Sequence, residues 1–411
     1  MSKNNENTLV PRLRFPEFVK EVEWEEEDLG TLAENLDSKR VPITSNQREK
    51  GTIPYYGASG IIDYVKEYIY NENLLCISED GANLIDRNYP IAFSISGKTW
   101  VNNHAHVLKF ENIHTQLLVE KYINSINVED FLTGMAQPKL NRGKLDIIPI
   151  PLPKNPNEQQ KIASCLSSLD EVIKAESQKL GVLKEHKKGL LQNLFPQNGE
   201  TVPMLRFKEF EDGGAWEKNT MEEICKITSG GTPSRTVNDY WNGEIPWIST
   251  TLIDFNTINA VNEYITEAGL QNSSAKIFPK NTILMAMYGQ GKTRGKVAIL
   301  GIEAATNQAC AAILLKEGFN TNFVFQNLAG RYEEIRELSN QGGQENLSGG
   351  LIENIPISIP VNPKEQQKIA SCLSSIHELI NIQSQKVEAL KLHKKGLLQG
   401  LFPDVNTPNM G

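Results

Sequence analysis

The sequence predicts an α+β fold: two mixed, β-rich domains separated by two long antiparallel coiled-coil helices, arranged as a pseudo-two-fold repeat. The main observation is a stretch that occurs twice. Residues 155–196 and 362–403 align without a gap and are identical at about 30 of 42 positions, which marks an internal repeat. A second repeated stretch, at 11–18 and 203–210, opens each globular segment. We therefore expect domains at 1–154 and 197–361 and helical regions at 155–196 and 362–411.

Each copy of the longer repeat predicts one helix. Asn155 and Asn362 can cap the helix start, a proline follows at the first helical position, and Glu158 and Glu365 stand where a capping-box carboxylate belongs. Apolar residues in alternating four- and three-residue steps form a heptad seam, which is typical of a coiled coil. The candidate residues of this helix pair are Ile162, Leu166, Leu183, Leu190, Ile369, Leu373, Leu390 and Leu397.

The connection between the repeats predicts their orientation. Only the short segment 197–202 separates the first helix from the second domain. If the two helices pair, the second must therefore run back along the first. We expect the domains at opposite ends of the pair, so that helix length sets the distance between them.

The first domain alternates strand-like apolar runs with glycine-rich turns. Runs at 74–78 and 91–95 predict buried strands, and 116–126 predicts an amphipathic helix. Polar and aromatic residues in the turns are candidates for surface contacts. They are Tyr56, Ser59, Lys98, Asn102, Asn103, His104, Gln137, Lys139, Asn141 and Arg142.

The second domain is somewhat longer and shares only its first and last stretches with the first. The run 283–287 predicts a buried strand, and glycine and proline within 230–235 shape an exposed turn. Shared ends around different interiors indicate one scaffold that carries two recognition surfaces. The surface candidates here are Thr232, Ser234, Arg235, Lys292, Arg294, Asn307, Gln344 and Asn346.

Composition bounds the class of protein. The chain has 411 residues and no run approaching the roughly 20 apolar residues of a membrane helix. Its polar N-terminus is unlike a signal peptide, and five cysteines without a CxxC pair indicate reduced thiols, as in the cytoplasm. A net charge of −8 counts against a simple nucleic-acid binder, which is usually basic, but allows local basic patches.

Three groups of residues carry a family resemblance. They are the doubled EQQKIA helix at 158–163 and 365–370, the pair GGTPSR and YWNGEIPWIS at 230–235 and 240–249, and the pair YYGASGIIDY and WVNNHAHVL at 55–64 and 100–108. On these residues, and over essentially its whole length, the chain resembles the specificity (S) subunit of a type I restriction–modification system.

The resemblance implies a function and partners. The two domains would be target-recognition domains that bind a bipartite, asymmetric site on double-stranded DNA, and the surface candidates above would contact that DNA. The helices would dock two methyltransferase (M) subunits, and two restriction/translocase (R) subunits would complete the complex. S-adenosylmethionine, ATP and Mg²⁺ would be used by the partner subunits, with no cofactor or metal bound by this chain.

Side-chain chemistry narrows the DNA candidates but leaves two interpretations open. Arginine suits guanine, and glutamine or asparagine suits adenine. Arg235, Gln137, Asn141, Gln344 and Asn346 fit on that ground, although an ordinary surface turn fits each equally well. The large aromatic residues favour core positions over contacts, because they bury so much apolar area.

Two possible chemical sites are weak. The residues at 289–293 imitate the end of a phosphate-binding loop, but Ala286 stands where that loop needs glycine, and 297–300 reads as a strand where it needs a helix. A flexible basic loop that touches DNA through Lys292 and Arg294 is the preferred interpretation. His104 and His106 share one strand face, but nothing completes a zinc set, so packing or a polar contact is favoured.

The sequence lacks the residues of a catalytic subunit. It has no Asn/Asp-Pro-Pro-aromatic tetrapeptide of an adenine methyltransferase and no convincing carboxylate cluster of a nuclease. We therefore predict a non-catalytic subunit of a site-specific deoxyribonuclease and adenine-N6 methyltransferase complex. Two alternatives remain: a coiled-coil scaffold that binds only proteins, and a nucleotide-dependent enzyme built on the Lys292 loop.

Overall fold

The chain divides into two compact units. The first comprises residues 1–177 and 385–411, and the second comprises 178–384. Each of the two long helices therefore contributes one half to each unit. The structure is a computed structural model that describes residues 9–134, 137–197, 199–289, 292–338 and 346–403. Within these ranges, no helix combines the length and the apolar character needed to cross a bilayer.

The first unit contains short strands and helices that lead into a long helix. Its strands are β1 (Glu25–Asp28), β2 (Glu34–Asn35), β3 (Lys50–Gly57), β4 (Gly60–Val65), β5 (Tyr70–Asn71), β6 (Leu74–Ser78), β7 (Ala92–Ile95), β8 (Lys98–Val101), β9 (Ala105–Lys109) and β10 (Pro149–Leu152). Its helices are α1 (Leu29–Leu32), α2 (Asn83–Asp86), α3 (Ile113–Ser125), α4 (Arg142–Asp146) and the start of α5 (Pro156–Asn193).

The strands of the first unit form two four-stranded sheets and one two-stranded ladder. One sheet has the order β2-β9-β6-β7, the other has the order β4-β3-β8-β5, and β1 pairs with β10. β3 and β8 run parallel, whereas β6 pairs antiparallel with both β7 and β9. Every residue of β6 is buried, as expected of a continuous apolar run.

The second unit has the same plan in a longer form. Its strands are β11 (Glu217–Thr220), β12 (Cys225–Ser229), β13 (Trp241–Ile248), β14 (Thr257–Ile258), β15 (Glu263–Ile265), β16 (Ile277–Phe278), β17 (Ile283–Ala286), β18 (Val297–Leu300), β19 (Ala304–Thr306), β20 (Cys310–Leu315) and β21 (Pro356–Ile359). Its helices are the end of α5, α6 (Met221–Ile224), α7 (Glu267–Gln271), α8 (Thr321–Gly330), α9 (Tyr332–Leu338), α10 (Gly349–Glu353) and the first part of α11 (Pro363–Leu401).

The sheets of the second unit match those of the first. They have the orders β12-β20-β17-β18-β14 and β15-β13-β19-β16, and β11 pairs with β21. The parallel pair β13–β19 corresponds to β3–β8, and the antiparallel pair β17–β20 corresponds to β6–β9. The two units therefore share a scaffold, as the repeat predicts.

Most predicted elements are present. The strand predicted at 74–78 is β6, and the runs at 91–95 and 283–287 correspond to β7 and β17. The predicted helix at 116–126 begins earlier, at Ile113, because the Asn112 side chain caps it by accepting a hydrogen bond from the His114 amide. The run at 297–300 is the strand β18.

The long helices pair antiparallel within each unit. In the first unit, Asp170 of α5 contacts Lys394 of α11, and Glu176 contacts Lys386. In the second unit, Lys187 contacts His377. Residue numbers rise along one helix as they fall along the other, so the predicted orientation is confirmed.

The eight helix-pair candidates differ in their surroundings. Ile162 and Leu166 are buried in the core of the first unit, and Ile369 and Leu373 are buried in the core of the second. The other four, Leu183, Leu190, Leu390 and Leu397, are half-buried. The first turns of each helix thus pack into the core of the domain that precedes them.

The capping-box prediction for Glu158 and Glu365 is wrong. The Glu158 carboxylate instead accepts hydrogen bonds from Arg14 and from the Trp24 indole, and Glu365 does the same with Arg206 and Trp216. The helix starts are capped by the side chains of Asn155 and Asn362, each of which accepts from a backbone amide two residues on.

Candidate nucleic-acid interface

Four loops of the first unit meet on one surface. The Ser78 hydroxyl donates to the carbonyl of Ala58, which joins the loop after β6 to the tip of the β3–β4 hairpin. The amide of Glu79 donates to the carbonyl of His104 at 2.9 Å, and the amide of Leu140 donates to the carbonyl of Glu79 at 2.8 Å. Loops that are far apart in sequence therefore form one continuous surface.

Asn102 shapes one of these loops. Its side-chain oxygen accepts a hydrogen bond from the backbone amide of His104 at 2.8 Å, and its backbone amide donates to the carbonyl of Tyr56 at 3.0 Å. The residue is only 5% exposed, whereas Asn103 and His104 are exposed. Asn102 therefore holds the turn, and its neighbours are the residues presented to solvent.

His106 ties this surface to the sheet beneath it. The side chain is 1% exposed, its Nδ1 lies 2.6 Å from a carboxylate oxygen of Asp37, and its Nε2 lies 2.7 Å from the carbonyl oxygen of Leu140. Both ring nitrogens lie within hydrogen-bond distance of oxygen atoms, one on Asp37 and one on Leu140. Through these two contacts the ring connects β9 to the segment that begins with Gln137.

Arg40 completes an ion-pair network around His106. Its guanidinium lies 2.6 Å from Glu79 and 3.3 Å from Asp37, and the Lys139 ammonium lies 3.1 Å from Glu79. Carboxylate and ring atoms of Asp37, Glu79 and His106 lie within 4.8 Å of one another, a grouping that could hold a metal ion. Arginine and lysine already neutralise the carboxylates, however, so the arrangement fits a structural network better than a zinc site.

The network also shifts the pKa values of its acids. Burial disfavours the ionised Asp37 carboxylate, but the hydrogen bond and charge of His106, the Val107 amide and Arg40 outweigh it and lower the pKa of Asp37. The pKa of Glu79 is lowered in the same way, because Arg40, His106 and Lys139 outweigh burial. Both acids are therefore ionised at neutral pH and hold the loops by charge.

The second unit repeats the hydrogen-bond frame of this surface. The amide of Met287 donates to the carbonyl of Ala309, and the amide of Leu347 donates to the carbonyl of Met287, both at 2.9 Å. Asn307 takes the place of Asn102: its side-chain oxygen accepts from the Ala309 amide at 3.1 Å.

The side chains on this second frame differ from those on the first. Ala311 stands where the first unit has His106, since both pair with the central strand of their sheet. The Thr232 hydroxyl donates to the exposed Gln308 amide oxygen at 2.6 Å. Gln308 was not among the sequence candidates, because its neighbour Asn307 was the one chosen. The sequence feature that could have identified Gln308 is its position directly after Asn307.

Arg235 lies beside this surface on an aromatic support. Its guanidinium carbon lies 3.7 Å from the centre of the Trp241 ring, and one nitrogen lies 2.5 Å from Glu263. The side chain remains half exposed. Trp241 in turn donates to the carbonyl of Ser234, so the predicted exposed turn is held against the strand β13.

The remaining candidates lie in varied positions. Lys98 lies at the opposite end of β8 from the clustered loops, over the Tyr68 ring, and Lys292 is exposed. Arg294 is only 7% exposed, which differs from the exposed contact expected of it. The amide of the next residue, Gly295, donates to the carbonyl of Ala286 at the end of β17 and holds this position against the strand. Gln344 lies outside the described residues.

The last three candidates surround α4 or precede α10. Asn141 caps α4 through a hydrogen bond from the Lys144 amide, and Arg142 is exposed with its guanidinium 3.5 Å from Asp146. Asn346 is exposed and precedes Ser348, which caps α10 as Asn141 caps α4.

Comparisons with known proteins agree with this architecture. A family model described as the type I restriction modification DNA specificity domain matches residues 21–185 and 214–392. A putative type I restriction enzyme specificity subunit of Haemophilus influenzae is 37% identical over 151 residues, and the alignment covers 37% of each chain. A type I restriction enzyme specificity subunit of Escherichia coli is 30% identical over 289 residues, which are 69% of this chain and 66% of that protein.

A solved structure shows the same fold. The S subunit of a type I restriction–modification system from M. genitalium superposes with a TM-score of 0.70 at 15% identity, covering 97% of this chain and 100% of that one. The sequence alignments span only 37% and 66% of the lengths of the two relatives. The family model, however, matches two segments that together make up most of this chain. The chain therefore belongs to the family of type I restriction modification DNA specificity domains.

Proposed function

We propose that this chain is the non-catalytic DNA-specificity subunit of a type I restriction–modification complex. Each unit reads one half of a bipartite, asymmetric target, and the chain scaffolds the methyltransferase and restriction subunits. The observation that carries this proposal is the loop frame built twice around Asn102 and Asn307. One backbone arrangement displayed twice is what reading two half-sites requires.

The side chains on the two frames support an asymmetric target. Lys139 and His104 on the first surface are replaced by Asn346 and Ala309 on the second. A lysine suits phosphate or guanine, whereas the amides of Gln308 and Asn346 suit adenine. Two surfaces of the same shape but different hydrogen-bonding chemistry would select different bases.

The interface candidates carried forward are the exposed ones on the clustered loops, together with the half-buried Thr232. In the first unit these are Ser59, Asn103, His104, Gln137 and Lys139. In the second they are Thr232, Ser234, Arg235, Gln308 and Asn346. Tyr56, Asn102, Asn141 and Asn307 would act by shaping the loops, and Lys98, Arg142 and Lys292 would reach only flanking phosphate.

The proposed partners would supply the catalytic chemistry and its cofactors. The paired helices α5 and α11 would dock two methyltransferase subunits, which would bring S-adenosylmethionine, and two restriction subunits would bring ATP and Mg²⁺. The assembly would act on DNA in the cytoplasm. The nucleotide-enzyme alternative is disfavoured, because the strand β18 follows the Lys292 loop where a phosphate-binding loop needs a helix.

Reconstitution tests the proposal. The purified chain, the methyltransferase subunits alone, and their mixture are each incubated with genomic DNA and labelled S-adenosylmethionine. We expect adenine methylation at one bipartite motif from the mixture only. A protein-only scaffold would leave the methylation pattern independent of this chain, and methyl transfer by the purified chain alone would contradict a non-catalytic role.

A further inference from the structure

A cavity of about 730 Å³ lies in the second unit, at the junction of its helices. Its walls come from the end of α5, the α8–α9 junction and the start of α11. Leu191, Phe255, Ala329 and Ile380 provide apolar lining. The volume is in the range of small-molecule sites, which are commonly 300 to roughly 1,000 Å³.

The internal repeat explains why this space is open. The helices α3 and α8 begin at equivalent capping asparagines, Asn112 and Asn320. Counting from these caps places Ala329 where the first unit has Lys121, and Gly330 where it has Tyr122. Leu191 packs against Gly330, where an added Cβ would lie 3.2 Å from its Cδ2 atom, so the open space is the one beside Ala329 that Lys121 would fill.

The repeat also shows that a negative charge has been lost. In the first unit, Asp170 binds both Lys394 and Lys121. Burial disfavours the Asp170 carboxylate, but its hydrogen bonds from the two lysines outweigh that and lower its pKa. The aligned residues of the second unit are Lys187, which is retained, and His377, which stands in place of the aspartate.

The Lys187 ammonium therefore has a weak partner. It lies 3.2 Å from Nδ1 of His377, and since an ammonium only donates, this nitrogen must be the unprotonated one. Burial lowers the pKa of Lys187, and burial followed by the Lys187 charge lowers the pKa of His377. Within the described ranges, no carboxylate forms an ion pair with Lys187.

The other charges around the cavity leave it positive. Lys184 and Lys188 also line it, and Arg331 is neutralised by Glu334 at 2.6 Å. Glu333 is the remaining acid of the lining and is exposed. Lys184 and Lys188 are exposed as well, so Lys187 is the half-buried lysine of the lining.

We propose that this cavity binds an organic anion, a carboxylate, phosphate or sulfonate on a flat apolar body. The acid group accepts a hydrogen bond from Lys187, as Asp170 does from Lys394 in the first unit. The apolar body lies beside Ala329, in the space that Lys121 occupies in the first unit, and packs against Leu191. This site is independent of the proposed DNA recognition.

Fluorescence titration of the full-length chain with anilinonaphthalene sulfonate tests the proposal. This probe combines an aromatic body with a sulfonate, and phenylnaphthylamine is its uncharged counterpart. Lys187→Met removes the ammonium group and keeps an unbranched side chain that is one atom shorter, and His377→Asp copies Asp170. We expect each variant to weaken sulfonate binding by about tenfold, equivalent to roughly 1.4 kcal/mol, and to leave binding of the uncharged probe unchanged.

The matched control is Lys394→Met in the first unit, which should not alter probe binding. Far-ultraviolet circular dichroism of each variant checks that it is folded. His377→Asp adds a charge partner for Lys187, so it provides a second test if Lys187→Met does not fold. Equal affinities in the wild type, Lys187→Met and His377→Asp would overturn the proposal.

Competition identifies the source of the natural anion. Displacement of the probe by added methyltransferase subunit points to a bound protein as the source, and retention of the probe in that complex, with displacement by adenosine monophosphate, points to a free small molecule. Each competition is repeated with Lys187→Met. Weaker competition in that variant shows that the competitor presents an acid group to Lys187, and equal competition would contradict the proposal. Because the titration uses no DNA, its failure would leave the proposed DNA recognition unaffected.

Discussion

The carboxylate of Glu158 accepts two hydrogen bonds from the guanidinium of Arg14, at 2.7 and 2.8 Å. Both side chains are buried, and Glu158 is only 1% exposed. Arg14 also donates one hydrogen bond each to the carbonyls of Glu21 and Val22. The second unit repeats the pair as Arg206 and Glu365, so one buried ion pair fastens each entering segment to the start of a long helix.

The first prediction concerns this pair. Glu158→Gln keeps the shape of the side chain but leaves Arg14 charged, buried and without a counter-charge. Breaking a buried pair in this way costs about 3–5 kcal/mol. Hydrogen exchange followed by mass spectrometry should show lost protection in the first unit, and Glu365→Gln should show it in the second.

The control for that experiment is Glu171→Gln, which changes an exposed acid of the same helix. Its protection pattern should match the wild type. If protection of the first unit in Glu158→Gln equals that in the wild type, the pair does not stabilise its own unit.

The Glu158 pair also illustrates what sequence patterns miss. The repeat and the heptad seam predicted two long antiparallel helices, because both depend on spacing along the chain. The role of Glu158 depends on Arg14, which is 144 residues away, and a local capping rule cannot detect such a partner. Long-range contacts of this kind are visible only in the folded chain.

The candidate interface likewise combines features that the sequence predicts with features that depend on long-range contacts. The turns that carry Asn102 and Asn307 were recognisable from residue type, but their roles as loop formers come from hydrogen bonds to their own turns and to β3 and β13. Arg294 lies in a glycine-rich basic stretch that suggested exposure, yet the loop packs it inward. Gln308 was missed because Asn307 and Gln308 are adjacent and both carry a side-chain amide. Only the structure shows that Asn307 is half-buried and Gln308 is exposed.

The second prediction concerns the two turn asparagines. Asn102→Ala removes the acceptor for the His104 amide, a hydrogen bond worth about 0.5–1.5 kcal/mol. We expect the exposed residues of that turn to lose their fixed position and DNA discrimination to fall at one half-site only. Asn307→Ala should affect the other half-site.

The measurement is methylation by the reconstituted complex of duplexes that carry base changes in either half. The two variants act as controls for each other, because they change the same turn in different units. Loss of discrimination at both halves in each variant would indicate that the units do not read DNA separately.

The third prediction concerns pH. The pKa of His377 is lowered by burial and by Lys187, so the folded chain takes up this proton less readily than the unfolded chain. Below the unfolded pKa of about 6.5, the unfolded state therefore binds more protons, and the free energy of unfolding falls as the pH falls. The stability is fully present above that pH and is lost as the pH falls towards the lowered pKa of the folded state.

Urea denaturation of the wild type and His377→Gln between pH 8 and about pH 5 measures this contribution. Glutamine cannot take up the proton, so the variant should lose less stability on acidification than the wild type. Parallel stability curves would mean that His377 does not titrate differently in the folded chain.

The central claim is that each unit reads its own half of one DNA target, and exchanging a unit tests it most directly. Residues 203–361 are replaced with the equivalent region of another family member, so that both ends of the insert fall in repeated sequence. The methylome of cells that carry the hybrid and its methyltransferase subunits is then sequenced. We predict a bipartite motif in which one half is unchanged and the other is that of the donor. A motif changed in both halves, or methylation unaffected by the exchange, would contradict the account.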